Sequence, residues 1–248
     1  MRTANPALNS KTFTGFEQVV DTARAMTIQG TVNKTALLLL LVLISSSWTW
    51  NLYFGSGTTA SVMPWVFVGF IGGFIVALIT VFKKQWAVIT APIYSLLEGL
   101  GLGGISAIFE AQYPGIVIQA VGLTFGTLFC LLIAYKSGMI KVTENFKLGI
   151  VAATGGIMLV YVANLLLGFF GIHMSFIHGN GIFGIGFSLF VVVIAALNLV
   201  LDFDFIESGE AGGAPKYMEW YAAFGLMVTL IWLYIEMLRL LAKLRSRR

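Results

Sequence analysis

The chain has 248 residues, of which 58% are hydrophobic and only 10% are charged, and its mean hydropathy is +0.90. Soluble domains carry about 25% charged residues, so this composition excludes a soluble globular protein and indicates a polytopic membrane protein. The net charge of +4 suits a membrane surface, and nothing in the sequence resembles a nucleic-acid-binding module. The one cysteine, Cys130, lies in an apolar run, which excludes a disulfide framework and a cysteine metal site.

Residues 1–32 form a mostly polar N-terminal segment with no evident cleavable signal. Apolar residues within it recur at the spacing of a helix, which is typical of a short helix lying at the membrane interface. They are Phe16, Val19, Val20, Ala23 and Met26. A simple tether fits this segment equally well.

Seven apolar runs are long enough to span a bilayer, since a spanning helix needs ~20 mainly apolar residues. They are about Thr35–Phe54, Met63–Phe82, Trp86–Ile108, Ile116–Tyr135, Leu148–Phe170, Gly181–Leu201 and Tyr221–Leu241. The sequence therefore predicts an all-α, polytopic bundle of seven transmembrane helices. We expect the seven-helix membrane domain to cover residues 33–244 and a basic tail to cover residues 245–248.

The lysines and arginines between these runs predict the orientation, because they favour the cytoplasm. They lie before span one and after spans two, four and six, whereas the loops after spans one, three and five contain none. We therefore expect a protein of the cell (inner) membrane with a cytoplasmic N-terminus and, after seven spans, an external C-terminus. The tail, LAKLRSRR, disagrees, since its charge alone would place it inside.

Glycines recur inside the spans, and two pairs have the small-xxx-small spacing that lets helix backbones approach closely in a membrane. These pairs are Gly99 with Gly103 and Gly122 with Gly126. The stretch GLGLGG is not a nucleotide-binding fingerprint, since it lies within an apolar span and follows no strand. We expect both pairs to serve helix packing.

Glu98 lies ~12 residues into span three, near the middle of the membrane by the rise of a helix. Tyr94 and Ser95 are four and three residues before it and share its helix face. Ionisable groups at this depth are usually functional, which makes Glu98 a candidate for the ion pathway or for pH sensing. The alternative is a neutral glutamic acid that is hydrogen-bonded to another helix.

Asn198 and Asp202 are four residues apart and form one polar stripe at the end of span six. A carboxylate at a helix centre in the membrane costs about 2.5–3.5 kcal/mol, so Asp202 is a candidate for ion or proton handling. Asp204 points elsewhere, and we expect it and Glu207 to form a solvated helix end.

Span seven offers two acidic partners for Asp202. Antiparallel folding about a Ser208–Pro215 loop predicts Glu219 at roughly the depth of Asp202. Glu236 would lie on the order of 20 Å away. Glu236 could also form a simple interfacial pair with Arg239, three residues later.

Several chemistries have no motif in this sequence. There is no HExxH, no GxSxG and no phosphate loop, and span seven has no lysine for a retinal Schiff base. His173 and His178 are expected to be plain loop residues, not a metal site or pH sensor. We expect neither an enzyme nor a bound cofactor.

Three stretches resemble the Bax inhibitor family (transmembrane Bax inhibitor motif), in particular its bacterial YccA-like members. They are YSLLEGLGLGGI in span three, LDFDFIE at the end of span six and LYIEMLRLLAKL in span seven. The resemblance implies seven helices with the last one central, and a pH-sensitive calcium leak controlled by paired aspartates on spans six and seven. Asp202 matches the first aspartate, and the LYIE stretch places Glu236 at the second.

Two functions follow as hypotheses. The first is a cation leak, with Ca²⁺ as the expected ion, gated by protonation of intramembrane carboxylates; its candidate residues are Asp202, Glu219, Glu236, Glu98 and Asn198. The alternative is a non-conducting regulatory protein that binds other membrane proteins, such as a quality-control protease. The expected partners are therefore the lipid bilayer, Ca²⁺ or protons, or another membrane protein, and no nucleic acid.

Overall fold

The computed structural model describes residues 25–171, 179 and 181–247. Of the described residues, 87% are helical, and none lies in a strand. The proposed interfacial helix lies outside the described residues except for Met26, and so do both histidines, His173 and His178.

Seven long helices in the described residues confirm the all-α class and the number of spans, and each is long and apolar enough to cross a membrane. In chain order they are α1 (Ile28–Ser56), α2 (Thr59–Phe82), α3 (Ala87–Gln112), α4 (Ile116–Lys136), α5 (Glu144–Phe169), α6 (Ile182–Ala211) and α7 (Met218–Ser246). A short 3-10 turn, Lys84–Trp86, precedes α3.

The last two helices are longer than their apolar runs. Helix α6 continues through DFDFIESGEA to Ala211, so the polar residues after Leu201 are helical. Helix α7 begins before its apolar run, at Met218, and ends at Ser246, within the basic tail. The connection between them is therefore residues 212–217, where Gly213 adopts a positive φ of 64°.

The chain divides into two compact units. The described part of the first, which we call the α1–α3 unit, comprises residues 25–114 and Phe205–Val228. The described part of the second, the α4–α5 unit, comprises residues 115–171, 179, 181–204 and 229–247. Its core contains the buried residues Ile157, Val191 and Ile194.

Glycines hold the α1–α3 unit together by allowing backbone contact on two sides of α3. A Cβ on Gly69 of α2 would lie 2.6 Å from both the Leu97 oxygen and the Gly101 nitrogen. On the α1 side, a Cβ on Gly99 would lie 2.6 Å from the Val42 oxygen, and one on Gly103 would overlap the backbone of Ser46. These contacts agree with the packing role expected of Gly99 and Gly103.

The second small-xxx-small pair does not pack in this way. A Cβ on Gly122 or Gly126 of α4 would meet no atom of the described residues within 4 Å. Within the described part of the chain, the expected packing role of this pair is therefore wrong, because the same spacing here faces open space. A spacing motif identifies a face of small residues, but it does not supply the neighbouring helix.

Candidate functional sites around the intramembrane carboxylates

Asp202 lies within α6 and its side chain is completely buried, with 0% exposure. Asn198, one turn earlier, is also buried, and its Nδ2 donates to Thr154 Oγ1 at 2.9 Å and to the Ile194 carbonyl at 2.8 Å. The polar stripe expected from the sequence therefore exists, and its Asn198 end joins α6 to α5. Thr154 was not singled out from the sequence, because a lone threonine in an apolar helix carries no signal of its own.

Asp204 is not the solvated residue that the sequence indicated. Lys147 of α5 approaches its Oδ2 with Nζ at 3.0 Å, and Lys147 also lies 3.4 Å from Glu144. The lysine side chain is only 4% exposed, whereas that of Asp204 is 18% exposed. This ion pair corrects the expectation for Asp204, and it depends on residues 57 positions apart in the chain.

Glu219 is fully buried and is held by several donors of the α1–α3 unit. Its Oε1 accepts from the Thr27 backbone N–H at 3.0 Å, from Thr27 Oγ1 at 2.8 Å and from Lys216 Nζ at 2.8 Å. Its Oε2 accepts from Lys34 Nζ. The carboxylate lies directly over Gly30, where a Cβ would overlap it. A carboxylate with two ammonium partners is best described as an ionised anchor for the start of α1.

The same start of α1 has a second acidic partner. Glu210 accepts from the Ile28 backbone N–H at 2.8 Å, and the Met26 N–H donates to the Ala214 carbonyl at 2.6 Å. Two carboxylates at a helix N-terminus also interact favourably with the helix dipole. We call this set of contacts, from Thr27, Ile28 and Lys34 to Glu210 and Glu219, the α1 clasp.

Tyr217, in the α6–α7 connection, is hydrogen-bonded to the side chain of Gln85. Burial raises the pKa of its hydroxyl, and the bond to Gln85 opposes that rise. The connection therefore contacts the α2–α3 link as well as the start of α1.

The helix bounds differ from those assumed in the expectation that Asp202 and Glu219 lie at equal depth. Glu219 lies one residue after Met218, where α7 begins. Asp202 lies nine residues before Ala211, where α6 ends, which is about 14 Å of helical rise. The expectation assumed a Ser208–Pro215 loop, and α6 continues as a helix through the first part of that segment.

Glu236 lies in the α4–α5 unit and is 2% exposed. Its Oε1 accepts from Tyr161 Oη at 3.0 Å and from Arg239 Nη1 at 2.7 Å, and Arg239 Nη1 also donates to Tyr161 Oη at 2.9 Å. The pair with Arg239 is therefore present, as the sequence suggested, but its carboxylate is buried, whereas Arg239 is 37% exposed, and the pair includes a tyrosine from α5.

Glu98 is buried in α3, with 7% exposure, and so are Tyr94 and Ser95 on the preceding turn. Its carboxyl group lies against Gly73 of α2, where a Cβ would be 2.5 Å from Oε1. No described residue donates a hydrogen bond to this carboxyl group, so the partner on another helix that the alternative supposed is not found among these residues. Within the described part of the chain, moreover, no group of three or more His, Cys, Asp or Glu residues could hold a metal ion.

Comparison with known protein families gives one finding. The family model described as Bax inhibitor 1 like matches residues 5–246, nearly the whole chain. No curated protein and no solved structure matches the chain.

Proposed function

The chain belongs to the Bax inhibitor 1 like family, and from that premise we propose that it is a pH-sensitive cation leak of the cell membrane, gated by protonation of Asp202. It is a multi-pass membrane protein of this family, and Ca²⁺ is the ion that the resemblance implies. The observation that carries the proposal is the complete burial of Asp202 inside a spanning helix. A carboxylate at such a position is expensive, and groups of this kind mark ion or proton pathways.

The contacts around Asp202 suggest how a proton would control the leak. Asn198 bonds to Thr154 on one side of Asp202, and Asp204 pairs with Lys147 on the other. Both contacts join α6 to α5. With a proton, Asp202 is neutral and remains buried at little cost. Without the proton, the charge favours any displacement of α6 that brings water to it, and that displacement opens a path for cations.

The proposal that Asp202 shares its proton with a second acid gives the sign of the pH response. Two carboxyl groups close together cannot both ionise cheaply, so Asp202 and an acid of α7 would share a proton in the closed state. Raising the pH removes that proton and opens the leak, and acidification closes it. Glu219 and Glu236 both remain candidates for the second acid. Glu219 has two lysine partners and Glu236 has an arginine partner.

Flux measurements on purified protein in liposomes test the gate. We expect Ca²⁺ flux of the parent to rise with pH, and we expect Asp202→Asn to stay folded with a flux that no longer follows pH. Glu219→Gln and Glu236→Gln are measured separately. The variant whose flux no longer follows pH identifies the acid that shares a proton with Asp202.

An Asp202→Asn protein that keeps the full pH response of the parent would overturn the gate. A parent without flux at any pH would instead favour the alternative, a non-conducting protein that binds other membrane proteins. Asp204→Asn is a matched control, since it removes a nearby carboxylate whose partner is Lys147. It is expected to keep a pH-dependent flux.

The orientation proposed from the loop charges is a cytoplasmic N-terminus and an external C-terminus in the inner membrane. In a Cys130→Ala background, Ser246→Cys at the exposed end of α7 should react with a membrane-impermeant thiol reagent from outside intact cells. Lys141→Cys, between α4 and α5, is the control and should react only after the membrane is opened. Labelling of Ser246→Cys only in opened cells would contradict the orientation.

A further inference from the structure

Glu98 is surrounded by helices that offer it no compensating charge. Helix α2, on which its carboxyl group lies, contains no charged residue. The one charged residue of α1 is Lys34, which is bound to Glu219. On its own helix, the titratable group on the same face is Tyr94, which is buried and packs its ring against Phe224 of α7 at 4.9 Å.

The polar side chain next to Glu98, that of Ser95, also lacks a hydrogen-bond partner among the described residues. Ser95 is 0% exposed. The carboxyl group itself receives no hydrogen bond or ion pair from any described residue. A carboxylate ion in this position would therefore lose its hydration without gaining a replacement, whereas a neutral carboxylic acid would lose far less.

The backbone of α2 leaves space for this group. A Cβ on Gly73 would lie 2.5 Å from Glu98 Oε1, 3.0 Å from Cδ and 3.3 Å from Cγ, so the side chain rests along the glycine. One residue earlier, a Cβ on Gly72 would meet only the flexible end of Leu97, at 3.3 Å. The notch at Gly73 is thus specific to the acidic side chain.

We propose that Glu98 in the Gly73 notch is a proton-binding site of the α1–α3 unit, separate from the gate at Asp202, whose proton stabilises the packing of α2 on α3. The ligand is a proton held on the carboxyl group. This site does not depend on ion conduction, and it would exist in a non-conducting protein as well.

The linkage between proton binding and folding gives the sign of the effect. In the unfolded chain an exposed glutamate has lost its proton at neutral pH, whereas the folded protein retains it at Glu98. Raising the pH therefore favours the unfolded chain. Over the range in which only the folded protein holds the proton, each pH unit lowers the folding equilibrium constant by about tenfold.

Equilibrium unfolding in mixed micelles across a pH series tests the site, with Asp202→Asn as the common background so that the gate does not contribute. Glu98→Gln remains neutral at every pH and keeps the shape of the acid. We expect the folding constant of the background to fall more steeply with pH than that of Glu98→Gln, by a further factor of about ten for each pH unit. Equal pH slopes in the two proteins would overturn the proposal.

A double-mutant cycle tests the notch independently of pH. Gly73→Ala is expected to lower the folding constant by at least tenfold when Glu98 is present and by much less in Glu98→Ala, where the Cβ has no carboxyl group to displace. Gly72→Ala is the matched control and should show no such dependence on Glu98. If Gly73→Ala has the same effect in both backgrounds, the notch does not serve the acid.

A metal cation is the competing ligand. Added Na⁺ or Ca²⁺ should not change the pH slope of the Asp202→Asn protein if the ligand is a proton. Stabilisation by either ion at alkaline pH, lost in Glu98→Gln, would replace the proton site with a cation site.

Discussion

Replacing Gly103 with alanine is expected to destabilise the α1–α3 unit by about 1–3 kcal/mol or more, the range for overpacking a well-packed core. The added Cβ would overlap the Ser46 carbonyl and the Thr49 hydroxyl, and it would lie 2.6 Å from Ser46 Cα. Two of these contacts are with backbone, which cannot rotate away as the end of a side chain can. Helix α1 would therefore have to move off α3, and the free energy of unfolding in mixed micelles should fall accordingly.

Gly126→Ala is the matched control for Gly103→Ala. It makes the same chemical change in a small-xxx-small pair, but no atom in the described part of the chain lies within 4 Å of its Cβ. We expect no loss of stability, because alanine favours the helix over glycine by up to about 1 kcal/mol in aqueous hosts. Equal destabilisation by the two substitutions would mean that glycine acts through the helix backbone and not through the α1–α3 contact.

Removing Glu219 is expected to have the largest effect among the acidic residues. Glu219→Ala would leave Lys34 and the Thr27 N–H without their carboxylate partner at the start of α1. Breaking a buried ion pair by removing one member costs about 3–5 kcal/mol, because the remaining charge is uncompensated. The loss should appear as a lower free energy of unfolding in mixed micelles at neutral pH.

Lys216→Ala provides the control for the α1 clasp. Lys216 also contacts Glu219, but its side chain is 51% exposed, so its removal should cost about 0–1 kcal/mol, as for other exposed ion pairs. If Glu219→Ala were no more damaging than Lys216→Ala, the buried carboxylate would contribute little to holding α1. Glu219→Gln also separates the two roles proposed for this acid, since an anchor affects stability and a gate partner affects the pH profile of flux.

Much of the membrane architecture was predictable because hydropathy is a local property. Each apolar run is long enough to span the bilayer by itself, and a chain segment in lipid must satisfy its own backbone hydrogen bonds, so it must be helical. The seven spans and the all-α class follow from these two constraints. The helix ends were less predictable: the apolar run of span six ends at Leu201, yet α6 continues to Ala211.

The two glycine pairs show that a spacing pattern does not predict which helix, if any, packs against it. Gly99 with Gly103 and Gly122 with Gly126 are identical as spacings, but only the first pair meets another backbone. The difference lies in α1, whose Val42 and Ser46 approach α3 at that level. No feature within either glycine pair encodes the presence of that partner.

The sequence by itself determined that Glu98 lies within a spanning helix and that Asp202 lies at the end of an apolar run, because both follow from position along the chain. Only the tertiary structure decided what surrounds each of them. Glu219 takes its donors from Thr27, 192 residues away, and Asp204 takes Lys147 from another helix. The charge state of a buried acid depends on the groups within a few ångströms of it, and these come from distant parts of the chain that only folding brings together.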